Sequence, residues 1–202
     1  TLKWEEDKKQ FYSEKDEYNE QIKKYEHSYN EGLQDGVEYF IEFLLENVEF
    51  PFENSNIFDL DYCKEEKSLI SNYFLPNKEV IPTLKTMKFI QSRKEYTESY
   101  ISEKQVNEIY NEMLYSIPLK LIEFMYINET KNNVCSIAFN GWINKIDEGT
   151  GNAVNFCLLS IEVSKEVFLN LNLEAVKPKE CFKKLEGISG IDLGNLIPII
   201  PI

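Results

Sequence analysis

SEKQVNEIYNEMLYSIPLKLIEFMYIN, residues 102–128, is the stretch whose reading decides the fold. Val106, Ile109, Tyr110, Met113, Leu114, Ile117, Leu121, Ile122 and Met125 recur at three- and four-residue steps, the period of a helix with one apolar face. Ser102 followed by Gln105 has the spacing of a capping box, in which the two side chains satisfy each other's backbone donors. Pro118 removes one backbone donor and crowds the preceding turn, so a kink is expected there. A helix this long and this apolar is expected to be the central core element.

β structure is expected on both sides of it. Downstream, Val134 to Ile146 and Ala153 to Val163 read as two strands joined by the turn Asp147-Glu148-Gly149-Thr150-Gly151-Asn152, with Gly149 and Gly151 supplying positive backbone angles. Upstream, Phe58, Leu60 and Tyr62 alternate with Asp59 and Asp61, Lys64 to Lys67 makes a polar turn, and Ser68 to Leu75 returns, which together read as a hairpin. Pro76 and Pro82 bracket a loop before a strand over Leu84 to Ile90. A short helix is expected from Pro178 to Leu185, with Pro in its first turn and Gly187 just past its end. The apolar tail, residues 196–202, contains two prolines and reads as a strand or linker.

The first 30 or so residues read as a charged helix. Trp4, Phe11, Tyr18 and Tyr25 recur every seven residues, with Ile22 and Tyr29 four residues after the last two, and Lys8 and Lys15 at the equivalent earlier positions. That is a heptad seam, fully apolar at one core position and half apolar at the other. It fits a coiled coil with a second copy or a partner, or a helix lying on its own domain. Gly32 and Gly36 break the helix, and Asp35 with Glu38 is expected to cap the next one, whose face is Val37, Phe40, Ile41, Leu44 and Val48 and which Pro51 closes. The expected architecture is α+β: an N-terminal coiled-coil-like helix, residues 1–31, followed over residues 32–202 by an antiparallel sheet packed on a long kinked helix.

Composition bounds the function. With 43% hydrophobic and 13% aromatic residues the chain can build a core, and its apolar runs fall short of a membrane span. No signal peptide is visible, and the absence of an initiator Met suggests a piece of a longer protein. Cys63, Cys135, Cys157 and Cys181 stand far apart and His27 is the sole histidine, so a Cys/His zinc site is not expected; such cysteines fit buried thiols in a reducing cytoplasm. The net charge of -13 is uneven, with 15 acids and 6 bases in residues 1–56. The N-terminal part therefore repels DNA, whose binding draws on Lys and Arg.

Catalytic patterns are incomplete. Asp59, Asp61 and Glu65-Glu66-Lys67 imitate a nuclease centre, but their separation is too short for the usual two-strand arrangement. Glu162 and Lys165 have one residue too many between them for Glu-x-Lys. Gly149-Thr150-Gly151 lacks the Gly-Lys-Ser/Thr ending of a phosphate loop. No catalytic, cofactor-binding or metal-ligating residue is assigned. Lys177, Lys179, Lys183 and Lys184 form the best basic cluster and, with Lys85, Lys88, Arg93 and Lys94, would touch phosphate if they converge; otherwise they are solvated faces. Trp142 is either a stacking platform or a core residue.

Several segments taken in order resemble one family. They are residues 85–94, the helix over 102–128, Phe139 to Asp147 with Thr150-Gly151, Leu159 to Lys165, Val176 to Gly187, and the closing Pro-Ile-Ile-Pro-Ile. The succession, from about Tyr25 to Ile202, is similar to the region preceding the nuclease domain of Mrr-type restriction endonucleases; the order and spacing carry the resemblance, since no single motif is diagnostic. It implies a non-catalytic regulatory, targeting and dimerisation region of a bacterial DNA-cleaving defence protein. The family's PD-(D/E)xK nuclease domain, with its Gly-Gly-x-Asp…Gln-x-Lys pattern and Mg²⁺, would then lie beyond Ile202. The resemblance also implies DNA as a partner through the parent protein, and the heptad helix implies a homo-oligomer. The competing reading is a protein-interaction or sensor module of an anti-phage system without DNA contact. A third is a small-molecule-binding domain in the sheet around Trp142.

Overall fold

The computed structural model describes residues 2–52, 57–147 and 149–202. Helix α1 spans Leu2–Asn30 and α2 spans Gln34–Glu46. Gly32 separates them with φ +61, and Leu33 N–H returns to the Ser28 carbonyl at 2.9 Å, so the helix ends on a left-handed residue that only glycine adopts without strain. The two helices then fold back on each other. A Cβ on Gly36 would lie 2.2 Å from the Tyr29 nitrogen, so glycine there permits the close approach. Asp35 is not the cap of α2, as the sequence had suggested. Leu33 holds that position without a side-chain bond, while Asp35 accepts from Ser28 Oγ at 2.5 Å and Glu38 reaches across to the Tyr62 N–H at 2.9 Å. The acids are used to tie α2 to its neighbours, and α2 ends at Glu46, before Pro51.

Strands β1 (Phe58–Cys63) and β2 (Ser68–Phe74) form the expected hairpin. Strands β3 (Leu84–Ile90) and β4 (Glu95–Tyr100) form a separate two-stranded ribbon. Helix α3, Glu103–Asn128, carries the capping box in full: Ser102 Oγ accepts from Gln105 N–H, and the Gln105 side chain accepts from Ser102 N–H. It runs through Pro118 to Asn128. Strands β5 (Ser136–Ile146) and β6 (Ala153–Ser164) are antiparallel, followed by α4 (Lys165–Leu169), α5 (Pro178–Lys184) and the short β7 (Ile188–Ser189). Of the β5–β6 turn, Glu148 lies outside the described residues; Gly151 has the positive φ, +70, whereas Gly149 N–H and Thr150 N–H donate to Asp147 Oδ1.

The main sheet has the order β1-β2-β5-β6-β7. It is mixed, not wholly antiparallel, because β2 pairs with β5 in parallel. A parallel neighbour needs a crossover, and the connection through the ribbon and α3 supplies it. The α+β class and the long helix packed on the sheet are as the sequence led one to expect.

Helix α3 is the core element. Leu114, Leu121, Ile122 and Met125 are completely buried, against Leu69, Ile137, Phe139 and Ile161 of the sheet. Its burial extends well beyond one stripe, since Tyr115, Leu119 and Tyr126 are also inside, while Ile109 stays exposed. The core is rich in tyrosine, and four of the buried phenols have a hydroxyl partner. Tyr110 donates to the Pro76 carbonyl, Tyr126 to the Val163 carbonyl and Tyr62 to the Asn133 carbonyl, while Tyr115 pairs with Ser189 Oγ. Rings of this size bury apolar area while the hydroxyl anchors a loop or strand end.

Candidate interaction site

Three polar or apolar arrangements stand out, and the first is a buried clamp. Glu129 follows α3 and is only 1% exposed. Its carboxylate accepts from Tyr29 Oη of α1 at 3.1 Å, from the Lys131 and Asn133 N–H groups, and from Lys165 Nζ of α4 at 3.1 Å. Lys165 also donates to the Glu129 carbonyl at 2.6 Å and to Asn132 Oδ1 at 3.2 Å. An ammonium has three donors and all three are engaged, so this lysine holds the structure together. Glu162, separated from Lys165 by one residue more than a Glu-x-Lys motif allows, accepts from Ser136 Oγ. Burial, then the Glu129 charge and hydrogen bond, push the Tyr29 phenol up to about 12.

The second lies across the sheet face opposite α3. Asn72, Asn140 and Ser160 are aligned on β2, β5 and β6. Asn72 Oδ1 accepts from Asn140 Nδ2 at 3.2 Å and from the Trp142 indole at 2.9 Å; Ser160 Oγ donates to Asn140 Oδ1 at 2.6 Å. The C-terminal tail lies on this row, with Ile199 N–H donating to the Cys157 carbonyl and Ile202 N–H to Ser160 Oγ. Trp142 is thus half-buried and engaged through its N–H, which places it between the two roles weighed for it.

The third is a groove of about 510 Å³ between α1 and α2, floored by Tyr18, Ile22, Tyr25, Tyr39 and Phe43. Tyr25 and Tyr39 stack at 3.9 Å with an interplanar angle of 3°, and Tyr29 lies on Phe40 at 4.4 Å. The C-terminal half of the heptad seam therefore packs on its own chain. The other half does not: Trp4, Phe11 and Tyr18 are 65%, 61% and 62% exposed. The C-terminal end of the seam thus follows the reading of a helix lying on its own domain, and the N-terminal end is exposed.

The basic residues fall on separate elements. Lys177, Lys179, Lys183 and Lys184 lie on or just before α5, where Lys179 donates to the Ile191 carbonyl and sits 5.7 Å over the Tyr115 ring. Lys85 and Lys88 are on β3, and Arg93 and Lys94 are in the ribbon turn, where Arg93 pairs with Glu95 at 3.7 Å. Asp59 and Asp61 are exposed on β1, and Lys67 donates to the Asn132 carbonyl, so that carboxylate–lysine set is a solvated hairpin. His27 is exposed near the end of α1.

Among the described residues, no three His, Cys, Asp or Glu side chains are placed to hold a metal ion, so the residues present do not fit the Mg²⁺ that the family resemblance implies for its nuclease domain. Cys157 and Cys181 are buried, and burial pushes the Cys157 thiol up to about 11; Cys135, contrary to the expectation of buried thiols, is exposed. No helix among the described residues is long and apolar enough to cross a membrane. No family model, curated protein or solved structure matches the chain.

Of these arrangements the clamp and the polar row are internally satisfied. The groove and the free half of α1 are open apolar surface, and contiguous exposed apolar surface marks interaction sites.

Proposed function

We propose that this chain is a non-catalytic regulatory, targeting and dimerisation region of an Mrr-like restriction endonuclease. The observation that carries this reading is the ordered succession of segments, from residues 85–94 through the closing Pro-Ile-Ile-Pro-Ile, that is similar to the region preceding that family's nuclease domain. In this reading the parent protein cuts DNA with Mg²⁺ in the bacterial cytoplasm as an anti-phage defence, and this region holds or gates the nuclease.

The exposed Trp4, Phe11 and Tyr18 support a homo-oligomer through α1. In the heptad they share a seam with Lys8 and Lys15, and Asp7 and Glu14 precede those lysines in flanking positions where a parallel partner helix can pair with them. The test is the natural reading frame and its product. A Gly-Gly-x-Asp…Gln-x-Lys segment after Ile202, and Mg²⁺-dependent DNA cleavage by the full-length protein, would support the reading. A different domain there, or no cleavage, would overturn it.

The second reading is a protein-interaction or sensor module without DNA contact, favoured by the net charge of -13 and the apolar groove. A DNA-shift assay at defined salt separates the two, because tight, salt-sensitive binding by this chain contradicts the second.

A further inference from the structure

The tail over residues 196–202 has a three-residue repeat, with Pro198 three residues before Pro201 and Ile199 three before Ile202. Each proline fixes its own φ and biases the residue before it towards extended backbone, so the segment favours polyproline II, a helix with three residues per turn. Residues three apart then share a side, and the bonding follows that repeat. Proline has no N–H, so residues 198–202 have only three amide donors, at Ile199, Ile200 and Ile202. Two of these are spent on the sheet: Ile199 N–H donates to the Cys157 carbonyl at 2.9 Å and Ile202 N–H to Ser160 Oγ at 3.1 Å. Ile200, between them, is 86% exposed.

The sheet holds the tail by its backbone. Ser160 Oγ accepts from the N–H of Ile202, and Asn140 Nδ2 donates to the carbonyl of the same residue at 3.4 Å. Asn140 and Ser160 are buried, and their neighbours orient them. Ser160 Oγ donates to Asn140 Oδ1, and Asn140 Nδ2 also donates to Asn72 Oδ1, which accepts from the Trp142 indole. Side chains fixed in this way, and turned to both the N–H and the C=O of one residue, form a preorganised site for extended backbone. Asn72, Asn140, Ser160 and Trp142 carry no charge, which suits an apolar ligand. A proline-containing one suits best, because it is already extended before it binds.

The tail is held lightly. Leu196, at its root, has φ +51, a left-handed conformation that is costly for a residue with a Cβ and persists only where its surroundings impose it. Ile197 and Ile202 are exposed, as Ile200 is, so little apolar area anchors the segment.

We infer that the sheet face carrying Asn140 and Ser160 is a binding site for an extended, proline-containing apolar peptide, and that the chain's own residues 196–202 occupy it as a releasable strap. A segment of the same chemistry supplied in trans competes with the strap for this face. The inference does not depend on the nuclease reading.

Fluorescence anisotropy of a labelled synthetic peptide with the sequence of residues 196–202 tests it on the full-length 202-residue chain. The double variant Ile199→Pro with Ile202→Pro removes both strap donors and leaves Asn140 and Ser160 in place. It is expected to bind the peptide roughly tenfold or more tighter than the wild-type chain, whose site is mostly filled in cis. Ser160→Ala in that background should weaken binding roughly fivefold, the effect of one ordinary net hydrogen bond. A peptide methylated on the nitrogens of the residues matching Ile199 and Ile202 should not bind. No binding by the double variant overturns the inference. So does equal binding of the plain and methylated peptides, which would be apolar adhesion alone, and so does equal binding by variant and wild type. If the double variant loses its native circular dichroism, hydrogen exchange of the wild-type chain decides. The Ile199 and Ile202 amides should then exchange faster than that of Ile161 in β6, in urea too dilute to unfold the sheet. Tail amides that exchange only with global unfolding overturn the releasable strap.

Discussion

Lys165 Nζ lies 3.1 Å from the Glu129 carboxylate, and this single ion pair joins α4 to the exit of α3 in a nearly dry setting, the two side chains being 17% and 1% exposed. The same carboxylate accepts the Tyr29 hydroxyl of α1. Removing one partner of a buried pair leaves an uncompensated charge and costs about 3–5 kcal/mol. Lys165→Met is therefore expected to destabilise by about that amount, read from urea unfolding midpoints. Glu129→Gln in the Lys165→Met background should recover part of the loss. Strictly additive costs would show that the pair is not coupled.

Alkaline pH should loosen the fold at two places, Tyr29 in the same corner and Cys157 in the middle of β6. The Tyr29 phenol is raised from 10.0 to about 12 and the Cys157 thiol from 9.0 to about 11, in each case first by burial. Both groups are neutral when protonated, so the folded state keeps its proton where the unfolded chain has released it. Stability is fully present below about pH 9 and falls as pH rises through the window between the unfolded and folded values. Thermal melts from pH 8 to 11.5 should show that fall, and Tyr29→Phe should flatten it above pH 10. An unchanged slope in Tyr29→Phe would assign the effect to other groups.

Gly36 predicts a steric failure. A Cβ there meets the backbone of Ser28 and Tyr29 at 2.4 Å and 2.2 Å, and backbone does not swing aside. Gly36→Ala should cost roughly 1–3 kcal/mol or more, as overpacking does. It should also separate α1 from α2, which limited proteolysis would detect as new cleavage near residues 28–33.

The C-terminal tail should report on the polar row. Ser160 Oγ donates to Asn140 and accepts from Ile202 N–H. Ser160→Ala removes both bonds, at a cost of about 1 kcal/mol for a typical net hydrogen bond. Hydrogen exchange at Ile202 should accelerate, while Ile199, which donates to the Cys157 carbonyl, keeps most of its protection. Equal acceleration at both amides would mean that the tail detaches as a unit.

Thiol reactivity separates the four cysteines. Cys135 is exposed and should react with a thiol reagent in the native state, followed by the half-buried Cys63. Cys157 and Cys181 should react only on unfolding, since burial disfavours their thiolates. Fast native modification of all four would contradict the packing of β6 and α5.

What could be read from the amino acids was what depends on near neighbours. The capping box of Ser102 and Gln105, the period of α3 and the hairpins β1–β2 and β5–β6 are local signals, and each is present in the fold. Strand β4 went unread because Glu95 and Glu98 interrupt its apolar alternation, and it is exposed on both faces. The cap assigned to Asp35 failed because Ser28 competes for that carboxylate from the preceding helix. Glu129 and Lys165 meet only through the packing of α3 on β6, so no spacing marks them. The groove was half legible: the heptad named its α1 wall, while Tyr39 and Phe43 of α2 lay off the apolar face assigned to that helix.

The parallel seam between β2 and β5 has a consequence for synthesis. Ser68 pairs with Ser136, so β2 is made long before its second neighbour, and everything between them, ribbon and α3 included, emerges first. During that interval β2 offers an unpaired edge, the kind of surface that recruits other chains. A nascent or truncated chain ending before β5 should therefore aggregate, and a fragment of residues 1–130 is expected to pellet where the whole chain stays monodisperse. The vulnerable interval lies between the synthesis of β2 and that of β5, and it closes when one distant strand arrives.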